Sequence, residues 1–199
     1  MVDSNSNQAD FWTARYAAGR TPWDFGGVPA ALKSFLAGWS APGRVLIPGC
    51  GSGYEVEAFH AAGHDVTAID FSPAAVAQAK RVLGRLAERV ISGDFFTYPF
   101  GERCFDLVYE RTFLCSMTPA RRPDYANRVA DLLGPGGRLI GFFLYGQNPG
   151  VSGPPFALTE SEAQQLFEAR FQLLRSEAVI DSLPLFRNME KWQEWQKVD

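Results

Sequence analysis

The sequence predicts an α/β fold, a doubly wound and mostly parallel sheet with an N-terminal helical and loop lid. Three observations lead there. Val45-Leu46-Ile47-Pro48 is an apolar run that passes straight into Gly49-Cys50-Gly51-Ser52-Gly53. Tyr54–Ala62 then suits a helix stopped by Gly63, and Val66-Thr67-Ala68-Ile69 is a second run ending at Asp70. Strand, glycine turn, helix, strand and acid form the opening half of a sheet that binds a nucleoside-bearing ligand. The length, 199 residues, suits one such domain with a full core and is short for two.

The chain divides into a lid over residues 1–28 and a ligand-binding domain over 29–199. Residues 1–8 are polar. Asp10 is placed to cap a helix over Phe11–Ala18, where Phe11, Trp12, Arg15 and Tyr16 meet at helical spacing. Gly19 ends it, and Thr21–Gly27 holds Trp23 and Phe25 in a turn-rich stretch. Exposed tryptophan is poorly tolerated, so this stretch is expected to fold over the ligand. Val28–Trp39, with Pro29 in its first turn, reads as a helix with apolar positions 32, 35, 36 and 39.

After Asp70, Ser72 and Pro73 start a helix to Leu83. Val90-Ile91 is a third strand running into Gly93-Asp94-Phe95-Phe96, and Cys104–Tyr109 a fourth entering Glu110-Arg111-Thr112. Pro123 and Asp124 precede a helix to about Leu133, and Gly134–Gly137 is a turn. Arg138–Tyr145, apolar on both faces, reads as a buried parallel strand. Gln147–Pro155 is a loop, Thr159 with Glu162 forms a capping box for a helix through Phe167, and Phe171–Ile180 is a sixth strand. In the tail, Met189, Trp192 and Trp195 recur every three residues, a pattern that favours helix.

The ligand follows from the glycine turn. Val56 stands where the third glycine of a nicotinamide fingerprint would fall, and no Lys-Ser/Thr follows as in a phosphate-binding loop. With no basic residue to hold a pyrophosphate, a ligand without phosphates fits better. The turn, with Asp70 seventeen residues past Gly53, suits S-adenosylmethionine. In a doubly wound sheet such a ligand lies beyond the carboxyl ends of the strands. Four strand ends then converge. Gly49, Gly51 and Gly53 cradle the amino-acid part, and Asp70 accepts from ribose hydroxyls. Asp94 and Phe95 or Phe71 take the adenine, and Glu110-Arg111 places a charged pair at the centre.

Methyl transfer from a sulfonium asks the protein for orientation and exclusion of water. A soft nucleophile such as a thiolate gains from a nearby cation, and Arg111 is the first candidate. An ion pair with Glu110 or Asp94, or a hold on the cofactor carboxylate, are its other roles. Tyr145 is the candidate to line the acceptor site, Arg121-Arg122 to supply a second charge, and Trp23 with Phe25 to close the chamber. Cys50 packs under the turn, Cys115 could touch the acceptor, and His60 and His64 read as surface or turn residues.

A net charge of −3 argues against a nucleic-acid partner. Three cysteines without CxxC spacing and two histidines argue against a zinc site, and the dispersed acids against magnesium. No signal peptide and no long apolar span is read, so a cytoplasmic protein with no membrane partner is expected, a monomer or weak homodimer.

Thr21-Pro22-Trp23-Asp24, Val45–Gly53, Gly93-Asp94-Phe95-Phe96 and Gly153-Pro154-Pro155-Phe156 together resemble the thiopurine S-methyltransferase superfamily, closest to its thiol/halide branch. The resemblance runs from about residue 10 to 180. It implies a class I, Rossmann-like methyltransferase fold of seven strands that uses S-adenosylmethionine without metal. It also implies an antiparallel hairpin at the C-terminus, which makes the tail a strand against its own periodicity. By position it assigns cofactor contacts to Trp12, Tyr16, Trp23, Gly49, Asp70, Asp94, Phe95 and Glu110, and acceptor roles to Arg111 and Tyr145. Glu110-Arg111-Thr112 departs from both branches, which leaves the acceptor open. A thiol or sulfide leads, and a halide, a thiopurine-like heterocycle, a selenium or tellurium oxyanion, or a non-catalytic cofactor-binding module are the alternatives.

Overall fold

The computed structural model describes residues 4–39, 41–102, 104–146 and 153–198. In chain order the elements are α1 (Ala9–Ala17), α2 (Ala30–Gly38), β1 (Arg44–Pro48), α3 (Tyr54–Ala61), β2 (Asp65–Asp70), α4 (Pro73–Leu83) and β3 (Val90–Ser92). There follow β4 (Phe105–Arg111), α5 (Arg122–Leu132), β5 (Leu133–Leu144), α6 (Glu160–Phe167), β6 (Phe171–Ala178) and β7 (Glu190–Lys197). The seven strands form one sheet in the order β3-β2-β1-β4-β5-β7-β6. β1 to β5 pair in parallel, while β7 runs antiparallel to both β5 and β6. The order reverses between β1 and β4, so their following connections diverge and leave a crevice at the strand tips.

Two apolar layers hold the helices to the sheet. On one face Val45, Ile47, Leu107, Tyr109 and Phe142 pack against Leu32 of α2, Val56 and Phe59 of α3 and Val76 of α4. On the other, Leu46, Val108, Leu139 and Phe143 pack against Tyr125 and Val129 of α5 and Phe167 of α6. Strand residues thus alternate between layers, and both layers are buried and apolar, as a central parallel strand requires.

The caps follow their chemistry. The Ser72 hydroxyl accepts from the Ala75 N–H at 3.2 Å, and Thr159 and Glu162 form the expected reciprocal box. Three local expectations are corrected. Asp10 lies inside the first turn of α1 rather than capping it, since Gln8 precedes the helix. Pro29 is likewise one residue outside α2. Gly134–Gly137 is absorbed into β5 as an irregularity, where the register against β4 jumps from Phe105↔Leu133 to Leu107↔Arg138.

The tail is a strand, as the resemblance implies and its periodicity does not. Residues three apart on a strand face opposite ways: Trp192 enters one core layer and Trp195 the other. Phe35 of α2 packs on Trp192 and Phe167 of α6 on Trp195, so both faces are buried and apolar residues three apart need no helix. β6 is the edge strand and, after Phe171, is exposed. Among the described residues no helix is long and apolar enough to cross a membrane.

Candidate active site

A cleft with a volume of about 460 Å³ opens at the tips of β1, β2 and β4, roofed by the N-terminal segment. Of the candidate cofactor residues, Trp12, Tyr16, Trp23, Gly49, Gly51, Gly53, Asp70, Phe71, Asp94 and Phe95 line it. Gly49, Gly51 and Gly53 have φ of 56°, 53° and 72°, the left-handed region where a side chain is strained. Space forbids one as well. A Cβ on Gly49 would lie 2.3 Å from the Phe113 ring, and one on Gly51 would lie 2.5 Å from the Tyr16 hydroxyl. The turn is therefore a bare backbone cradle, pressed by rings from both sides.

Asp70 closes β2 with its carboxylate turned back to the turn. Oδ2 accepts from the Gly51 N–H at 3.0 Å and Oδ1 from the Ser72 N–H at 2.9 Å. Each oxygen keeps a second lone pair for a donor in the cleft. Burial pushes its pKa up to about 6, against those backbone bonds. Asp94 accepts from the Phe96 N–H at 2.9 Å, and Phe95 is buried edge-on to Phe96 and Phe113.

The roof is tied down at three points. The Ser52 hydroxyl donates to Asp24 Oδ2 while accepting from Gln78 Nε2 at 2.7 Å. The Thr13 and Ser72 hydroxyls are hydrogen-bonded at 3.0 Å, and the Asn7 amide donates to the Thr118 hydroxyl at 2.8 Å; within the roof, Trp23 Nε1 donates to the Tyr16 hydroxyl at 3.3 Å. Neither Asp24 nor Ser52 stands out as a contact in the sequence, because residues this far apart show no shared pattern.

Three candidates stand elsewhere. Glu110 is 1 % exposed and its oxygens are engaged. Oε1 accepts from the Phe113 and Leu114 N–H groups at 2.8 Å each, and Oε2 from the Tyr125 hydroxyl at 2.8 Å. It staples the turn after β4 to α5 and does not line the cleft. Tyr145 is also outside: its hydroxyl donates to Gln193 Oε1 at 2.9 Å, and its ring packs in the layer with Phe143. Strand alternation explains this, since Leu144 takes the opposite parity and meets Trp23, Cys115 and Phe186. Arg122 supplies no charge to the cleft; it donates to the Phe156 and Ala157 carbonyls at 2.8 and 2.9 Å, although Arg121 does line the cleft. His64 is buried rather than exposed, edge-on to Phe59, and burial lowers its pKa.

Burial also pushes the pKa of Glu110 up to about 7, against about 4.3 in an unfolded chain. Between those values the native state keeps a proton that the unfolded chain has shed. Its contribution to stability therefore falls as pH rises through that window and is level below it. Glu110→Gln has no such proton, so the variant should gain on the parent by up to about 3 kcal/mol from pH 5 to pH 8. Urea midpoints at both values measure this, and parallel pH curves would count against it.

Arg111, one residue on from Glu110, takes the other parity and faces the cleft. Its guanidinium lies 5.0 Å from the Phe25 ring centroid and 4.5 Å from that of Phe142. Its side chain is 8 % exposed, yet Nη1 and Nη2 have no hydrogen-bond partner. A buried fork with two idle nitrogens is costly unless something else binds it. Cys115 lines the same end, but burial holds its thiol well up, and it is no nucleophile at neutral pH. Among the described residues no cluster of His, Cys, Asp and Glu could hold a metal ion.

The family model for thiopurine S-methyltransferases matches residues 7–197, nearly the whole chain. The chain belongs to the thiopurine S-methyltransferase family. A probable thiol methyltransferase 2 from Arabidopsis thaliana is 32% identical over 203 residues, covering 97% of this chain and 87% of its own. Thiocyanate methyltransferase 1 from the same plant is 31% identical, covering 90% and 81%. Among solved structures, a 1,6-didemethyltoxoflavin N1-methyltransferase from Burkholderia thailandensis superposes with a TM-score of 0.78 at 24% identity, covering 96% of this chain and 87% of that one. That likeness shows the class I fold. The protein is therefore an S-adenosylmethionine-dependent methyltransferase.

Proposed function

We propose that this methyltransferase transfers the methyl group to a thiol or sulfide held between Arg111, Phe25 and Cys115. The idle guanidinium fork carries this reading: it is the one buried cation with free donors named above that faces the cleft. S-adenosylmethionine would supply an electrophilic methyl carbon on a sulfonium. The Gly49–Gly53 backbone and the Asp70 carboxylate would hold its amino-acid and ribose parts, with Asp94 and Phe71 toward the base. Residues 1–28 act as a lid in this reading, since Trp12, Tyr16, Trp23 and Phe25 all line the cleft and would keep water from it. Related plant enzymes named for thiols and thiocyanate favour a small soft acceptor. A panel of sulfide, small thiols, thiopurines, iodide, thiocyanate, selenite and tellurite, read as S-adenosylhomocysteine release, tests it. Turnover confined to the oxyanions would overturn the sulfur assignment.

The Asp70 assignment has its own test. A ribose hydroxyl donates to the ionised carboxylate, whose pKa in the free protein is about 6. Binding below that value must first expel a proton, so S-adenosylhomocysteine affinity should be level above it and drop by nearly tenfold per pH unit well below it. In Asp70→Asn, affinity at pH 8 should be about 10- to 100-fold weaker and no longer vary with pH. Calorimetry decides, and an unchanged Asn variant would remove Asp70 from the site.

A further inference from the structure

Arg111 is short of hydrogen bonds but not of countercharge. Its Nε lies 4.0 Å from Glu55 Oε1, and its Nη1 lies 4.0 Å from Glu190 Oε1. Both carboxylates are buried, at 7 % and 4 % exposure. Glu190 is set behind the guanidinium, where the Ser182 hydroxyl donates to its Oε2 at 2.6 Å. Glu55, in the first turn of α3, is the one of the two that lines the cleft. The Tyr109 hydroxyl donates to Glu55 Oε1 at 3.4 Å. One cation between two carboxylates leaves the chamber floor with one net negative charge when both are ionised, and neutral when one carries a proton. A permanent anion entering here is offset by the donor's sulfonium alone, with no positive charge to spare on the floor, whereas a neutral thiol brings no charge.

We propose that Glu55 is the proton acceptor of this chamber, and that the substrate enters as a neutral thiol rather than as an inorganic anion. The proposal rests on the reading of the cleft as the methyl-transfer site. In the step, the S–H bond breaks and an O–H bond forms on the Glu55 carboxylate, while the bonding pair stays on sulfur. The negative charge moves from carboxylate to sulfur beside Arg111, so the floor's net charge is unchanged. The proton returns to solvent once the product has left.

Ordinary values oppose this transfer by about four pH units, a carboxyl near 4.3 against a thiol near 8.5. The surroundings narrow the gap from both ends. Burial, the largest influence, raises the pKa of Glu55, and Asp24 in the roof adds to it, while Arg111 and the Tyr109 hydroxyl act against them. Arg111 in turn stabilises a thiolate. The remaining group facing Glu55 is the Cys50 thiol in the glycine turn, which burial keeps protonated.

The test uses the protein saturated with S-adenosylhomocysteine, so no turnover is needed. 2-Mercaptoethanol is titrated in at about pH 7 in two buffers of different ionisation enthalpy, which counts protons, while ultraviolet absorbance follows the thiolate. The expected result is thiolate formation with no proton delivered to the buffer. In Glu55→Gln the thiol should bind at least about tenfold more weakly, while thiocyanate, which brings no proton and now meets one carboxylate fewer, should bind more tightly. Release of about one proton per thiolate from the parent protein overturns the proposal. So does a Glu55→Gln variant that weakens both ligands together, since mere structural damage would do that. Failure of S-adenosylhomocysteine to bind would overturn the cleft reading itself; its binding with the wrong proton count removes only the role of Glu55.

Discussion

Arg111→Lys is expected to slow transfer to a thiol by about 10- to 100-fold while S-adenosylhomocysteine affinity stays within about twofold. Lysine keeps the positive charge between Glu55 and Glu190, so the buried carboxylates remain compensated and the fold should survive. What it loses is the planar fork whose Nη1 and Nη2 are buried without hydrogen-bond partners. A charge-assisted hydrogen bond is worth about 1.5–3 kcal/mol, which sets the range of the slowdown. Arg111→Ala is less informative: it strands two buried carboxylates and should cost about 3 kcal/mol or more in stability. Single-turnover rates alongside calorimetry separate the steps. If the lysine variant lost cofactor affinity and rate in equal measure, the guanidinium would be holding the cofactor's carboxylate instead.

Gly141→Ala should be severely destabilising. Gly141 pairs with Glu110 in the β4–β5 ladder and has φ of 141°, a conformation strained for any L side chain. A Cβ there would lie 1.9 Å from the Glu110 carbonyl oxygen and 2.9 Å from its amide nitrogen. These are backbone atoms of the neighbouring central strand, so no rotamer change relieves the overlap. The strands must part at the point that carries Glu110 and Arg111. A loss above about 4 kcal/mol is expected, against a total of about 5–15 kcal/mol for a domain of this kind. Gly19→Ala is the control: its φ is 63° but nothing lies within 4 Å. It should cost only about 1–2 kcal/mol. Denaturant titration of both variants measures the contrast, and a folded Gly141→Ala with a near-parent midpoint would refute the argument.

The glycine turn, the order of strands and helices, and the acids at the strand ends were legible in the chain because each is a local pattern. Apolar runs of four to six residues have to be strands when a turn and a helix follow them, and three glycines on alternate positions leave few other structures open. The tail was not legible from its own pattern. A spacing of three reads as helix until both faces of β7 are known to be covered, and coverage is a property of α2 and α6.

What the sequence by itself determined, then, was the class I sheet and the stretches of backbone that reach the cleft. The tertiary structure alone decided which side chains on those stretches point into it. Glu110 and Arg111 are neighbours in the chain, yet one bonds to α5 and the other faces the cleft, and Tyr145 turns to Gln193 while Leu144 takes the opposite side. Glu55 and Glu190 show the same limit at longer range. They come from the first turn of α3 and the start of β7 and meet only at Arg111. A strand turns successive side chains to opposite faces, and a charge is balanced by whatever folding brings within a few ångströms of it; neither is written in the order of the residues.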